Sequence, residues 1–326
     1  MRVVIFFPPA AGLTGGMQVL VQVAERLREL SHCPVFFLWE KGPEKFLKDM
    51  GFEVVVSRDF RFNTYDLFLV PEGWPNVLAL SMKAGIRNFV YCQNWAYLFS
   101  GLPQGVSWHD LPVEFISVSD PVRVFIRKSL NRNTPVIRPA IDDQIFYPPE
   151  SKPRDRIYIA YMPRKNKALY RQIRRIFQER NKDLEVSWVS IEGVPPDQVA
   201  GHLRKSHVFL ATGFPEGIGL PPLEAMACGC FVTGFAGLGG WDYMRQAGSG
   251  YVPDIPLRQV AWQGNGFYSA DYDVLDAALK LEAAVRLYRD RDLGLEGLLE
   301  QSRLTVRAYS KENQQNELSR WIRTVN

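Results

Sequence analysis

Two glutamates frame the chemistry this chain could do. Glu216 and Glu224, with seven residues between them, stand inside the stretch VFLATGFPEGIGLPPLEAMACGCFVTGFAGLGGW, residues 208–241. A carboxylate accepts hydrogen bonds and donates none, which suits vicinal hydroxyls such as a ribose diol or the edge of a sugar ring. Between the two acids, Gly217 and Gly219 bracket Ile218, and glycines let backbone N–H groups come close to an anion. Pro221 and Pro222 pre-set a first helical turn, whose N-terminus adds partial positive charge. Singly, Glu216 reads as a solvated loop acid and Glu224 as an acid favoured by the helix dipole. As a pair in this frame they outline a phosphate-sized space flanked by hydroxyl acceptors, which describes a nucleotide joined to a sugar.

The surrounding pattern supplies the elements that must position them. The apolar run 208–212 reads as a buried parallel strand and 223–227 as a helix closing at Gly229. The run 230–233 returns as the next strand. Glu216 is thus expected in a glycine loop and Glu224 at the head of a helix. Upstream, a strand over 156–161 is followed by Met162-Pro163-Arg164-Lys165-Asn166-Lys167. Basic residues just past a strand's carboxyl end suit a diphosphate: Arg binds its oxygens bidentately and Lys supplies a mobile point charge. A basic start to the helix expected at 169–180 explains either lysine equally well.

The string EGIGLPPLEAMACG resembles the E-x7-E segment of retaining glycosyltransferases of family 4. That resemblance implies an α/β chain of the GT-B type, with two Rossmann-like, doubly wound parallel-sheet domains facing a central cleft. It also implies a sugar moved from a nucleoside diphosphate sugar to a glycan, lipid or small-molecule acceptor. Carried over, Glu224 holds the donor's ribose, Glu216 lies beside the transferred sugar, and Gly217, Ile218, Gly219 and Leu220 line the donor site. Arg164 and a lysine, Lys165 in preference to Lys167, hold the phosphates. The resemblance implies no metal requirement and no cofactor beyond the sugar nucleotide, which is a co-substrate.

In the first half, strand and helix patterns alternate from residue 2 to about residue 118, which predicts a parallel sheet with helices on both faces and ligands at the strands' carboxyl ends. Gly15 and Gly16 precede the first helix; they read as a tight turn or, by the resemblance, as glycines across the cleft from the donor. Gln93 and Asn94 follow the strand 87–92, where many family members carry a sugar-contacting histidine. Their amides can bond hydroxyls instead. His109, alone in a loop, reads as structural or solvated. Arg123, Arg127 and Lys128 on the helix after Ser119-Asp120-Pro121 form a solvated face or a contact for anionic lipid, which would make any membrane association peripheral.

At 326 residues the chain is long enough for two α/β domains. IRPAIDDQIFYP, residues 137–148, resembles the family's interdomain segment, and Gly248-Ser249-Gly250-Tyr251-Val252 resembles a turn and strand of the family's second domain. The expected division is 1–148 for the acceptor side, 149–308 for the donor side, and 309–326 as a terminal helix crossing back, with Trp321 as its anchor. A net charge of +4 with scattered basic residues does not favour nucleic acid. Four cysteines without a C-x-x-C, of which Cys228 and Cys230 straddle a turn, suggest buried thiols in a reducing, cytoplasmic setting. No apolar run reaches membrane-spanning length. Two other readings share the fold: a sugar-nucleotide epimerase, which needs acid–base residues not evident here, and a non-catalytic partner subunit, which has little physical need for Glu216, Glu224 and Arg164 together.

Overall fold

The computed structural model describes all residues except 10–12, 41, 58–59 and 326. The chain divides into two compact units: residues 1–140 together with 311–326, and residues 141–310. Part of the loop that precedes Gly15 therefore lies outside the described residues.

The first unit is built on six strands: β1 (Arg2–Phe6), β2 (Cys33–Leu38), β3 (Glu53–Val56), β4 (Leu67–Pro71), β5 (Arg87–Cys92) and β6 (Val113–Ser117). They pair in parallel in the order β3-β2-β1-β4-β5-β6. Near-continuous apolar runs form these strands because helices cover both faces of a parallel sheet. Val3, Val4, Ile5 and Phe6 are accordingly all fully buried. The crossover helices are α1 (Gly15–Glu29), α2 (Glu44–Asp49) and α3 (Leu78–Ala84), and α4 (Asp120–Leu130) follows the last strand. The strand order reverses between β1 and β4, and ligand crevices form outside the carboxyl ends of strands at such a point.

The second unit carries β7 (Ile157–Tyr161), β8 (Val186–Ser190), β9 (Val208–Ala211), β10 (Phe231–Phe235) and β11 (Gly266–Ser269), all parallel in the order β11-β10-β9-β7-β8. Its helices are α5 (Lys167–Arg180), α6 (Pro196–Lys205), α7 (Leu220–Ala227), α8 (Val274–Arg289) and α9 (Leu295–Arg307). Here the reversal lies between β7 and β9. The segment Gly248–Val252, expected as a turn and strand, is neither helix nor strand, and Val252 is exposed. The last strand is Gly266–Ser269 instead, a short run without enough alternation to stand out. A Cβ on Gly266 would meet Tyr268 Oη at 2.3 Å and Val232 O at 2.5 Å, so glycine is needed where β11 closes on β10.

The terminal helix α10 (Lys311–Val325) belongs to the first unit. Trp321 is buried edge-on against Phe89 at 5.1 Å between ring centroids. Arg138 pairs with both Glu317 of α10 and Asp120 of α4. Among the described residues no helix is long and apolar enough to cross a membrane.

One lysine ties the back of the second unit together. Lys152 Nζ donates to Leu203 O at 3.4 Å, Arg204 O at 3.3 Å and Cys228 O at 3.0 Å, and also to Ser206 O. Its three N–H groups are thereby shared among the carbonyls at the C-terminal ends of α6 and α7. Lys152→Met should cost about 2 kcal/mol, since it strands several acceptors of a charged donor. Urea unfolding measures this; an unchanged midpoint would show that water replaces the ammonium without loss. Beside it, Cys228 and Cys230 are buried and unbridged, and burial pushes both thiols up, Cys228 to about 12.

Candidate active site

The loops after β7 and β9 meet at the switch point of the second unit. Asn166 adopts the left-handed conformation, with φ of 57°, which Asn tolerates better than most residues. Its Nδ2 donates to Thr212 O at 2.9 Å and Phe214 O at 3.0 Å, fastening one loop to the other. The preceding residue, Lys165, then reaches across. Its Nζ donates to Pro215 O at 3.0 Å and pairs with Glu216 Oε1 at 2.8 Å. Lys165 and Glu216, fifty-one positions apart, are thus in direct contact.

A second glycine loop holds Glu216 from behind. Its N–H donates to Gly237 O at 2.9 Å, and its carbonyl accepts from Gly239 N at 3.0 Å. A Cβ on Gly239 would fall 2.2 Å from Gly217 O, so only glycine allows the two loops to lie this close. Gly237 N donates in turn to Asp271 Oδ1 at 3.0 Å. Burial raises the pKa of Asp271, the Gly237 N–H lowers it, and the negative Glu216 adds to the rise. Tyr243 Oη donates to Gly219 O at 2.7 Å and fixes that carbonyl away from the loop's amides.

These constraints leave the amides unanswered. The N–H groups of Ile218, Gly219 and Leu220 have no hydrogen-bond acceptor among the described residues. Helix α7 begins at Leu220 rather than at residue 223, because both prolines fit the first turn, where no N–H is needed. Glu224 is therefore the fifth residue of the helix, one turn past its head. It is half-buried and has no side-chain partner among the described residues. Arg164, just past β7, is exposed and likewise unpaired among the described residues. Lys167 opens α5 and lines a different pocket.

Burial without compensation raises the Glu224 pKa from 4.5 to about 7. The folded state then holds a proton between these values that the unfolded chain has lost, so stability falls as pH rises from 4.5 to 7. Glu224→Gln should remove that loss. The variant is expected to be more stable than the parent above neutral pH, by at most about 3 kcal/mol, and equal to it below the unfolded pKa. Denaturant midpoints across the pH range measure it. A Gln variant no more stable at alkaline pH would mean that Glu224 has a compensating partner.

The first unit brings its own predicted residues together. Thr14 caps α1, accepting from Met17 N at 3.3 Å, and Gly15 and Gly16 open the helix. A Cβ on Gly16 would lie 2.9 Å from Gln93 Oε1, so the glycine lets the Gln93 amide approach the helix start. That Oε1 is buried without a hydrogen-bond partner among the described residues. Asn94 is committed locally: its Oδ1 accepts from Ala96 N at 3.1 Å. Both backbone N–H groups donate to Glu72, Gln93 at 2.9 Å and Asn94 at 2.8 Å. Burial raises the Glu72 carboxyl to about 7 against the lowering effect of these bonds. Glu72, Asn166, Asp271 and Tyr243 escaped the sequence reading. Asn166, between a basic pair and a helix start, carried a readable left-handed turn signal; the others act through contacts made only on folding. His109 is exposed on a short helical turn.

No protein-family model matches the chain. Over 231 residues it is 27% identical to an α-1,6-glucosyltransferase of Actinobacillus pleuropneumoniae serotype 7 (strain AP76), covering 69% of each chain. A glycosyltransferase from Rickettsia africae ESF-5 superposes with a TM-score of 0.67 at 11% identity, covering 99% of this chain and 98% of that one. An E. coli trehalose-6-phosphate structure bound with UDP-2-fluoro glucose gives 0.59 at 10% identity, covering 100% and 99%. The fold is that of the GT-B glycosyltransferases.

Proposed function

We propose that the chain is a retaining glycosyltransferase of the family-4 type, moving a hexose from a nucleoside diphosphate sugar to a glycan, lipid or small-molecule acceptor. The observation that carries this reading is the row of three unanswered amides, Ile218, Gly219 and Leu220, opening beside Lys165 and Glu216. Oriented N–H groups at a helix start with an adjacent ammonium suit a diphosphate. In this reading Arg164, Lys165 and the loop amides stabilise the charge that gathers on the leaving diphosphate. Glu224 accepts from the ribose hydroxyls, and Glu216 offsets the positive charge developing at the sugar ring. Gly15, Gly16, Gln93 and Asn94 are assigned to the donor sugar on the resemblance to family 4. The acceptor oxygen bonds to the anomeric carbon on the face the phosphate leaves, and a phosphate oxygen takes the acceptor's proton, so configuration is retained. No step in this scheme requires a metal ion.

The relative's printed activity is glucosyl transfer and a fold neighbour is bound with UDP-2-fluoro glucose, so UDP-glucose is the first donor to try. Calorimetry with UDP-glucose, GDP-mannose, ADP-glucose and dTDP-glucose should show one binding in the micromolar range, with the bare diphosphate retaining most of that affinity. Transfer from that donor should survive excess chelator and give a product of unchanged anomeric configuration by NMR. Absence of binding to all four would remove the reading. Complete loss with chelator, restored by a divalent metal, would overturn its metal independence.

A further inference from the structure

The second unit has another charged cavity, lined by none of Arg164, Lys165 and residues 216–220. A pocket of about 380 Å³ opens between α5 and the carboxyl ends of β7 and β8, with Lys167, Arg171, Arg174 and Arg175 on its helix wall. Residues three and four apart share one helix face, so these cations repel one another. The sequence retains that cost on a helix with a single acid, Glu179.

Two of the four are already positioned. Arg174 Nη1 donates to Tyr170 Oη at 3.1 Å, and its guanidinium lies over Trp188 at 5.1 Å. Tyr170 is itself fixed by stacking on Tyr161 at 3.7 Å. Arg175 is paired to Glu179 at 2.6 Å. Lys167 and Arg171 have no side-chain partner among the described residues. Opposite them, at and just past the carboxyl end of β8, stand Ser190 and Glu192. The four cations, set against Glu192 and Glu179, leave a net charge of +2 at the pocket.

We infer that this pocket binds a phosphorylated sugar, with the phosphate on Lys167, Arg171 and Arg174 and the sugar hydroxyls on Ser190 and Glu192. A phosphate dianion matches the net charge, and a preorganised guanidinium binds phosphate oxygens in pairs. A carboxylate on the far wall repels a second anionic group but accepts from hydroxyls, which selects against a polyanion and for a ligand charged at one end. The volume lies within the range of small-molecule pockets. The site is independent of the donor site proposed above and can be assayed with or without a nucleotide present.

The test is calorimetry with glucose 6-phosphate, inorganic phosphate and glucose, each titrated into the full chain in the absence and the presence of saturating UDP. Glucose 6-phosphate should bind saturably at millimolar concentration or below in both conditions, inorganic phosphate more weakly, and glucose not measurably. Arg171→Glu should weaken glucose 6-phosphate at least about tenfold while leaving UDP binding as it was. Arg171 is exposed, so the variant should fold; its circular dichroism and thermal midpoint check this, and Arg171→Ala, weakening binding in the same direction, repeats the reading without charge reversal. Three results would overturn the inference: no saturable binding, binding indifferent to both variants, or displacement by UDP. Equal affinity for phosphate and glucose 6-phosphate would overturn its sugar half.

Discussion

Glu216→Gln is expected to lower kcat by about two orders of magnitude or more, the loss found when a main electrostatic stabiliser is removed, while UDP binds at least as tightly as before. The second half follows from the ion pair. In the free protein Lys165 is held by Glu216 at 2.8 Å, and a diphosphate must compete with that carboxylate for the ammonium. A neutral amide competes less, so the ground-state affinity should hold or rise as the chemical step fails. Glu224→Gln should show the opposite split. The ribose is unchanged during reaction, so losing its acceptor removes binding common to ground and transition states, and the donor KM should rise more than kcat falls. Steady-state kinetics with the identified donor, and calorimetry with UDP on both variants, separate the two. If both lose nucleotide affinity equally and neither shows a separate loss in kcat, the division of roles is wrong.

Lys165→Met should be the more damaging change, because it strikes binding and catalysis together. The ammonium is assigned to the diphosphate, whose charge grows as the glycosidic bond breaks, so the interaction is present on binding and strengthens in the transition state. UDP affinity should fall about tenfold and kcat by about two to three orders of magnitude. The loss has a structural component, since Lys165 also donates to Pro215 O. Lys165→Arg distinguishes the contributions: it keeps the charge, and should restore UDP binding more fully than kcat, because a planar guanidinium cannot reproduce the ammonium's geometry at both Pro215 O and the phosphate. Unchanged UDP affinity in a folded Lys165→Met protein would detach the lysine from the diphosphate.

The alternation of strand and helix is legible in the amino-acid order, because parallel strands covered on both faces must be short, continuous apolar runs. The same order located Glu216 in a glycine loop between a strand and a helix, since glycine and proline dictate backbone geometry within a few residues of where they stand. Buried Cys228 and Cys230 were legible from their setting at a turn between apolar runs. Residues 248–252, expected as a turn and strand from the resemblance to family 4, stay irregular because Tyr251 and Val252 are exposed rather than packed into a sheet face, while Gly266–Ser269 acquires its strand identity from pairing with β10.

Which cation meets Glu216 is settled by the packing of the two loops. Arg164, Lys165 and Lys167 lie within four residues, and the sequence holds no rule for which turns toward a loop fifty residues later. That choice depends on Asn166, whose left-handed backbone and bonds to Thr212 O and Phe214 O turn the chain between Lys165 and Lys167. It sends the first to Glu216 and the second to the α5 pocket. The unpaired amides of Ile218, Gly219 and Leu220 are likewise a tertiary result. The neighbouring glycine loop takes the N–H and C=O of Glu216, and the N–H groups of residues 218–220 find no acceptor among the described residues. Glu72 shows the same limit: nothing in its flanking residues marks it, because its work on Gln93 and Asn94 exists only once β4 and β5 lie side by side. Local backbone preferences are written in neighbouring residues; partnerships between distant ones are set by which strands the fold makes adjacent.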